Sequence, residues 1–551
     1  MAIGEIVAKI LRARGIADTE LEEFLNPSIE RLSRPEELPG IEAAADAVLA
    51  AVAAGRKVVV FGDYDCDGVC ATAIMVKALG ALGANVEPFL PRRLSEGYGM
   101  SDASVARLLS EHPDVGLVVT VDNGINSIDQ IAALRSRGVE VVVTDHHLPG
   151  RLASDDGSPG EIVLPEAAAL VNPKVEAPAR LADLCGAGVA FLLANRLIAE
   201  AARRGMYSGE KIGGPLLVLA GIATVTDLMP ILGQNRILVA EALKRFAAWA
   251  PMGVRELYAR AARAGSERLT SRDFGFLIGP RINASGRIAS GDEALELVLS
   301  DDREISRELA RIVDMRNVER RSIEQKMSEE AAAKVVQGAS AQVIDLPDGH
   351  PGVAGIVASR LLECVGRGPV CVIAGGHGSG RAPGGFNLRD AFDACASVLE
   401  RYGGHAAAGG FSVKPGKTDE FRRLLCEYCE REERLHPPVA AGIEPDVWIE
   451  PDDVTLELAD EVALLEPFGE GNPEPVFALR GVTIADVRPL GSEGRHLTLS
   501  LRESRLRGVF WNHGDMVEEL RAHPAHRNVF FTLCISDYGE RHVELKLVAV
   551  E

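Results

Sequence analysis

Asp63, Asp65 and Asp67 stand two residues apart in Gly62-Asp-Tyr-Asp-Cys-Asp-Gly68, directly after the short apolar run Lys57–Phe61. On an extended backbone, alternate side chains point the same way. Three carboxylates facing one another repel, and each holds its proton more tightly. A bound cation resolves the conflict. The plain alternative is an acidic turn in solvent, or carboxylates capping the next helix. Three acids after a buried run are costly in either role without a counter-ion. Two later apolar runs end in the same way. Val121 is followed by Asp122, and Thr144 by Asp145-His146-His147. A lone histidine is usually structural, whereas an adjacent pair preceded by Asp on the same rim is hard to explain so. The helical stretch ending Ala223-Thr-Val-Thr-Asp227 supplies one more acid. Carboxylate and imidazole donors favour Mn²⁺ or Mg²⁺ over a thiolate-dependent metal. Two such ions, held ~3.5–4 Å apart, activate water and stabilise an in-line displacement at phosphorus. The chemistry this pattern predicts is phosphoester hydrolysis.

A polyanionic single strand also needs cations along its backbone and flat faces for its bases. Arg92, Arg93 and Tyr98 follow the run Val86–Leu90; Arg281 and Arg287 bracket Asn283 and Ser285; Arg381 ends the glycine-rich Gly378-Ser-Gly-Arg381. Singly, each arginine reads as a surface ion pair; as a set on rims and glycine loops they read as phosphate contacts. Trp511, Phe530 and Tyr538 are candidates for base stacking, or core aromatics of the C-terminal region.

These groups must be carried by a scaffold. The predicted runs at 57–61, 86–90, 116–121 and 139–144 alternate with helical stretches at 43–54, 69–82, 101–111 and 127–137. Continuous apolar runs between helices indicate a parallel sheet covered on both faces, a doubly wound α/β domain. In such a sheet ligands bind outside the carboxyl ends of the strands, where these acids lie. Helical patterning fills 181–250, and 301–336 reads as one long amphipathic connecting helix. A smaller α/β unit begins near Gln342. Leu435-His-Pro-Pro438 looks like a hinge. Beyond it, period-two runs at 496–501 and 543–548, with a third at 529–535, predict a small β-barrel.

The 551 residues suggest about three domains. A formal charge of −21 argues against a simple nucleic-acid coating protein. It leaves room for a local basic channel, because exposed charges are screened beyond about 8–10 Å. Nine scattered cysteines, with a single Cys426/Cys429 spacing, read as reduced thiols rather than a zinc site. No clean signal core and no long uncharged run is found, so a soluble cytoplasmic protein is expected.

The motifs resemble those of the DHH phosphoesterase superfamily, and most closely the RecJ family of bacterial single-stranded-DNA-specific exonucleases. The likeness covers nearly the whole chain. Gly62–Gly68, Val121-Asp-Asn-Gly124, Thr144–His147 and Thr226-Asp227 look like the superfamily's phosphoesterase motifs. Glu96-Gly-Tyr-Gly99, Gly279–Arg287, His350–Gly355, Gly378–Arg381 and Gly403-Gly-His405 resemble the narrower family, and Leu465–Pro473 its approach to an oligonucleotide-binding barrel.

The resemblance implies five segments: an N-terminal helical segment over 1–45, a DHH domain over 46–240 and a helical region with connecting helix over 241–335. A DHHA1 domain over 336–437 and an OB-fold-like domain over 438–551 complete them. It further implies Asp65, Asp67, Asp122, His146 and Asp227 as ligands of two Mn²⁺ or Mg²⁺ ions. Asp63 is a ligand or a supporting acid, Asp145 orients the histidines, and His147 contacts the scissile phosphate. Arg93, Tyr98, Arg281, Asn283, Arg287, His350, Ser379, Arg381 and His405 are implied substrate contacts. Degradation in the 5′→3′ direction, a role in DNA repair and recombination, and partnership with single-strand-binding protein and a recombination helicase are likewise implications of the family. Many DHH enzymes have a histidine ligand where this chain has Phe61. The competing readings are a DHH phosphodiesterase acting on short oligonucleotides or cyclic dinucleotides, which the C-terminal β pattern disfavours, and a DNA-binding scaffold without catalysis, which the intact acids disfavour.

Overall fold

The structure, a computed structural model, describes residues 3–551 except 98, 152–159, 208, 210–211, 263–267, 437–441, 503, 505 and 537–540. Tyr98, Tyr538 and Pro437-Pro438 of the expected hinge thus lie outside the described residues. No described helix is long and apolar enough to cross a membrane.

The first sheet contains β1 (Lys57–Phe61), β2 (Val86–Phe89), β3 (Val115–Val121), β4 (Glu140–Thr144) and β5 (Ala169–Val171). Its order is β2-β1-β3-β4-β5 and every pairing is parallel. Val58, Val59 and Val60 are all buried, because helices cover both faces. Each such valine contributes roughly 1.5–3 kcal/mol of burial. Strand order reverses between β1 and β3, so a crevice opens at their carboxyl ends. Asp63 and Asp65 follow β1; Asp122 follows β3. Phe61 points away from this crevice, into the core with Phe89 at 5.2 Å between ring centroids.

The helix after β1 spans Cys66–Ala81, three residues earlier than the apolar pattern predicts. Asp65 is its N-cap, accepting from the Gly68 amide at 3.0 Å, and Asp67 lies in its first turn. The three aspartates therefore converge across a strand-to-helix turn, not along an extended segment. Gly68 is required there: a Cβ would sit 2.5 Å from the Asp63 carbonyl oxygen.

The helical pattern over 181–250 resolves into the helices Gly186–Arg203, Gly213–Thr226 and Gly233–Trp249. The connecting helix runs Arg303–Ala333. Beyond it, β6 (Gln342–Leu346), β7 (Val370–Ala374), β8 (His377–Arg381), β9 (Leu399–Gly404) and β10 (Ala408–Val413) form a mixed sheet in the order β6-β7-β8-β10-β9.

The C-terminal region carries β11 (Val447–Trp448), β12 (Phe477–Val482), β13 (Ile484–Leu490), β14 (His496–Leu501), β15 (Arg507–Phe510), β16 (Arg527–Ser536) and β17 (His542–Val550). They form one sheet, β11-β12-β16-β17-β15-β14-β13, around a single core. Val7, Ile10 and Leu11 of the helix Glu5–Ala13, with Phe24, complete that core. The first residues of the chain thus pack with the last.

Candidate active site

Among the described residues, Asp63 Oδ2, Asp122 Oδ1, His146 Nε2 and Asp227 Oδ2 are buried at the β1/β3 crevice without a hydrogen-bond partner. His146 Nε2 lies 3.0 Å from Asp122 Oδ1 and 3.6 Å from both Asp67 Oδ2 and Asp227 Oδ2, without hydrogen-bond geometry. Donor atoms of Asp67, His146 and Asp227 all lie within 4.8 Å of one another; the same holds for Asp63, Asp65 and Asp122, and for Asp122, His146 and His147. Leaving buried donors and acceptors unmade costs about 1–3 kcal/mol each. The deficit is repaid by a cation. The oxygen and imidazole donor set suits a hard divalent ion, and two adjoining clusters have room for two.

The charges agree with this reading. Burial and neighbouring aspartates push Asp63, Asp65 and Asp122 above the usual carboxyl range. Burial, then Asp67 and Asp65, raise Asp227 to about 9. Burial also holds His146 below its ordinary value, leaving a neutral imidazole fit to donate a lone pair.

Each side chain is fixed by its neighbours. Asp67 accepts from the Gly186 and Ala187 amides at 2.7 and 2.8 Å, at the N-terminus of the helix Gly186–Arg203. Helix N-termini favour negative charge. Asp122 adopts a φ of +61°, a left-handed conformation that non-glycine residues hold only when their surroundings impose it. A Cβ at Gly186 would lie 2.5 Å from that of Asp122, so the helix can approach only with glycine there. Asp145 Oδ1 accepts from the amides of His146 (2.7 Å) and His147 (3.1 Å) and bonds His147 Nδ1 (2.7 Å), while Oδ2 accepts from the Ile125 amide (2.9 Å). With both oxygens engaged, it orients the histidines. Burial alone would lower His147, but the Asp145 bond and charge overcome it and raise His147 to about 9.

Across the crevice lies a cavity of about 500 Å³ lined by Tyr64, Arg93, Gly352, Ser379, Arg401 and Tyr402, among others. It joins the rim of the first sheet to β8, β9 and β10 of the second. Arg93 stacks over Tyr64 at 5.2 Å. Burial and the Arg93 charge lower Arg287 to about 10, and lower Arg381 and His350 too. Arg93, Arg287 and Arg381 therefore share one positive field, and it acts on the His350 ring as well. His350 Nδ1 accepts from the Gly352 amide, and Arg381 Nη1 donates to the Gly380 carbonyl. His405 is exposed at the end of β9, its amide donating to the Ala408 carbonyl.

Two expected contacts are turned inward. Arg281 donates to Asp314 on the connecting helix (2.9 Å) and to the Leu277 carbonyl (2.8 Å), which takes it out of the cavity lining. Asn283 Oδ1 accepts from the Cys66 amide at 2.7 Å and so braces the aspartate turn. Three further residues stand at the site although the sequence does not mark them as contacts. Arg401 lines the cavity; its signal was a cation just before the glycines of β9. Asn123 ties together the ends of β1 and β3 through the Phe61 and Val121 carbonyls, and Asn172 holds the His147 carbonyl. Asn123 adjoins Asp122 in sequence, whereas nothing local marks Asn172.

A second cavity, about 740 Å³, lies between the residues flanking Asp227 (Thr226 and Leu228) and the C-terminal sheet, where it meets Phe468, Cys534 and Lys546.

Comparison with known proteins matches three family models in order along the chain: "DHH family, N-terminal domain" over 57–222, "DHHA1 domain" over 338–431 and "RecJ OB domain" over 445–549. The single-stranded-DNA-specific exonuclease RecJ of Thermus thermophilus is 37% identical over 500 residues, 90% of this chain and 68% of that one. The Bacillus subtilis protein of the same name is 32% identical over 531 residues, 94% of this chain and 64% of that one. The chain thus spans about two thirds of the length of these relatives. Among solved structures, RecJ from Thermus thermophilus in complex with Mn²⁺ superposes with a TM-score of 0.84 at 33% identity, over 100% of this chain and 76% of that one. With three modules in the same order, one fold along its whole length and a third of its residues shared, the chain belongs to the RecJ family of single-stranded-DNA-specific exonucleases.

Proposed function

We propose that this protein hydrolyses single-stranded DNA from its 5′ end with two divalent ions, releasing mononucleotides in DNA repair and recombination. The observation that carries the reading is the convergence at one sheet edge of Asp63 Oδ2, Asp122 Oδ1, His146 Nε2 and Asp227 Oδ2, each without a hydrogen-bond partner among the described residues. Asp65, Asp67, Asp122, His146 and Asp227 would hold Mn²⁺ or Mg²⁺, with Asp63 as a further donor. Ions bound there supply an activated water and neutralise charge at phosphorus.

The protein's own groups do the rest. His147, kept cationic by Asp145 at neutral pH, presents positive charge beside the scissile phosphate. Arg93, Arg287, Arg381 and Arg401, with Ser379, His350 and His405, bind the terminal phosphates. The strand leaves past Leu228 and Phe276, both largely exposed, along the cavity beneath the C-terminal sheet. In this division 46–240 seats the metals, 336–437 grips the phosphate, 241–335 connects the two and 438–551, packed with part of 1–45, holds the strand. Single-strand-binding protein and a recombination helicase are the partners the family implies.

The test uses single strands labelled at either end, with a duplex control, in Mn²⁺ or Mg²⁺. Mononucleotides released from the 5′ end of single strands alone are expected. Internal cuts, 3′ release or activity in chelator would refute the reading.

A further inference from the structure

Arg236 is 2% exposed and has no carboxylate partner among the described residues. It sits near the start of the helix Gly233–Trp249, nine residues after Asp227 in the chain. Its guanidinium donates to five backbone carbonyls: Phe24 (2.7 Å), Leu464 (3.4 Å), Leu465 (3.0 Å), Glu466 (2.8 Å) and Pro467 (3.3 Å). Its face lies 3.9 Å over the Phe24 ring. Three parts of the molecule meet there: the metal-bearing unit, the N-terminal segment, and the lead-in to the C-terminal sheet. A buried cation survives without an anion only where carbonyl dipoles surround it.

The same lead-in is tied at two more points, one in the metal-bearing unit and one in the helical region that follows it. The Ile231 amide donates to the Glu470 carbonyl at 2.7 Å, and Ser271 Oγ donates to the Phe468 carbonyl at 2.6 Å. Asn472 Nδ2 closes the loop on itself through the Leu465 and Pro467 carbonyls, and its Oδ1 accepts from Arg14 of the N-terminal segment. Residues 464–473 thus form one rigid loop, and the cavity beneath the C-terminal sheet is bounded by it on one side and by the flanks of Asp227 on the other.

We propose that Arg236 is a positioning residue: it latches the C-terminal sheet at a fixed height above the metal crevice and thereby sets the path of a long strand. This rests on the function proposed above. A guanidinium reaches five carbonyls as a rigid planar fork; a lysine has three donors and no plane to stack on Phe24. Loss of the latch leaves the metal clusters intact, because Arg236 touches none of their residues. It acts on substrates long enough to reach the C-terminal sheet and leaves short ones alone.

The experiment compares full-length wild type, Arg236→Lys, Arg236→Gln and the milder Ser271→Ala on a trinucleotide and on a long single strand. For Arg236→Lys, KM on the long strand should rise roughly tenfold and run length should shorten, with kcat/KM on the trinucleotide within about twofold of wild type. Arg236→Gln should be worse and Ser271→Ala milder in the same direction. An equal fall on both substrates, or an unchanged long-strand KM in Arg236→Lys and Ser271→Ala, would overturn the proposal. Should the glutamine variant fail to fold, the other two still decide. If wild type itself shows no preference for the long strand, the functional reading fails instead.

Discussion

The metal site should release protons when it fills, and its affinity should climb steeply with pH. Asp227 is raised to about 9 in the metal-free protein by burial and by Asp67 and Asp65. At pH 7 its proton must be displaced across about two pH units, a factor of roughly 100 in affinity or about 3 kcal/mol. From about pH 6 to about pH 8 the Mn²⁺ affinity should therefore improve about tenfold per unit from Asp227 alone. Asp63, Asp65 and Asp122 are shifted in the same direction by burial and by neighbouring aspartates. The assay is calorimetric titration of chelator-stripped protein with Mn²⁺ at several pH values, each in two buffers of different ionisation heat, which counts the protons. Asp227→Asn should lower the slope by about one proton. An affinity changing less than about threefold over that window, with no proton release, would mean the carboxylates are not crowded in the free protein. The inference from unpartnered buried atoms to a cation site would then fall.

The metal-free fold should lose stability as pH rises. A raised folded pKa adds stability below the unfolded carboxyl value and surrenders it as pH climbs through the folded one, here up to about 9 for Asp227. Thermal melts with and without Mn²⁺ should thus diverge with pH, and parallel curves would contradict the sign. Asp122→Ala should abolish hydrolysis while single-strand binding in the presence of chelator stays within about threefold of wild type; retained turnover would remove the metal mechanism. Arg381→Ala should flatten the salt dependence of binding by about 0.7 in the logarithmic slope, one phosphate's worth on a single strand, and an unchanged slope would place that arginine outside the substrate path. A chain ending at His436 should aggregate, since Val7, Ile10, Leu11 and Phe24 lose the core they pack in; a monomer with an unchanged melting temperature would show that the N-terminal segment does not need the barrel.

The sequence makes some of this plain and hides the rest, for identifiable reasons. Continuous valine runs locate β1, β3 and β4 to within a residue or two because both faces are buried and no other pattern competes. The acids at their ends are legible for the same reason. The second sheet is harder. His377–Arg381, Leu399–Gly404 and Ala408–Val413 carry too many glycines to show a period, yet they are strands. Their glycines are there for close packing: a Cβ at Gly378 would sit 2.3 Å from the Phe411 ring, and one at Gly409 2.8 Å from that of Phe392. The helix at Cys66 begins earlier than its apolar residues do, because Asp65 caps it before the pattern starts. The union of the N-terminal helix with the C-terminal core depends on contacts more than 400 residues apart, such as Arg14 to Asp446, and no local signal carries them.

How a chain of net charge −21 can grip a polyanion follows from the two walls of the crevice. On one wall burial and other carboxylates raise Asp63, Asp65 and Asp122, and raise Asp227 to about 9. On the other, burial and Arg93 depress Arg287, Arg381 and His350. Arg93 pulls Asp63 down and Arg287 pulls Asp65 down, but burial and the neighbouring carboxylates outweigh both. Cations relieve the first wall and a phosphate relieves the second. A phosphodiester seated between them completes both at once, and a local field of this kind outweighs a distant, screened surface charge of either sign. Removing one wall's charge should therefore weaken the ligand of the other: Arg287→Gln should weaken strand binding more in Mn²⁺ than in chelator, because with metals bound the strand bridges both walls and depends on each.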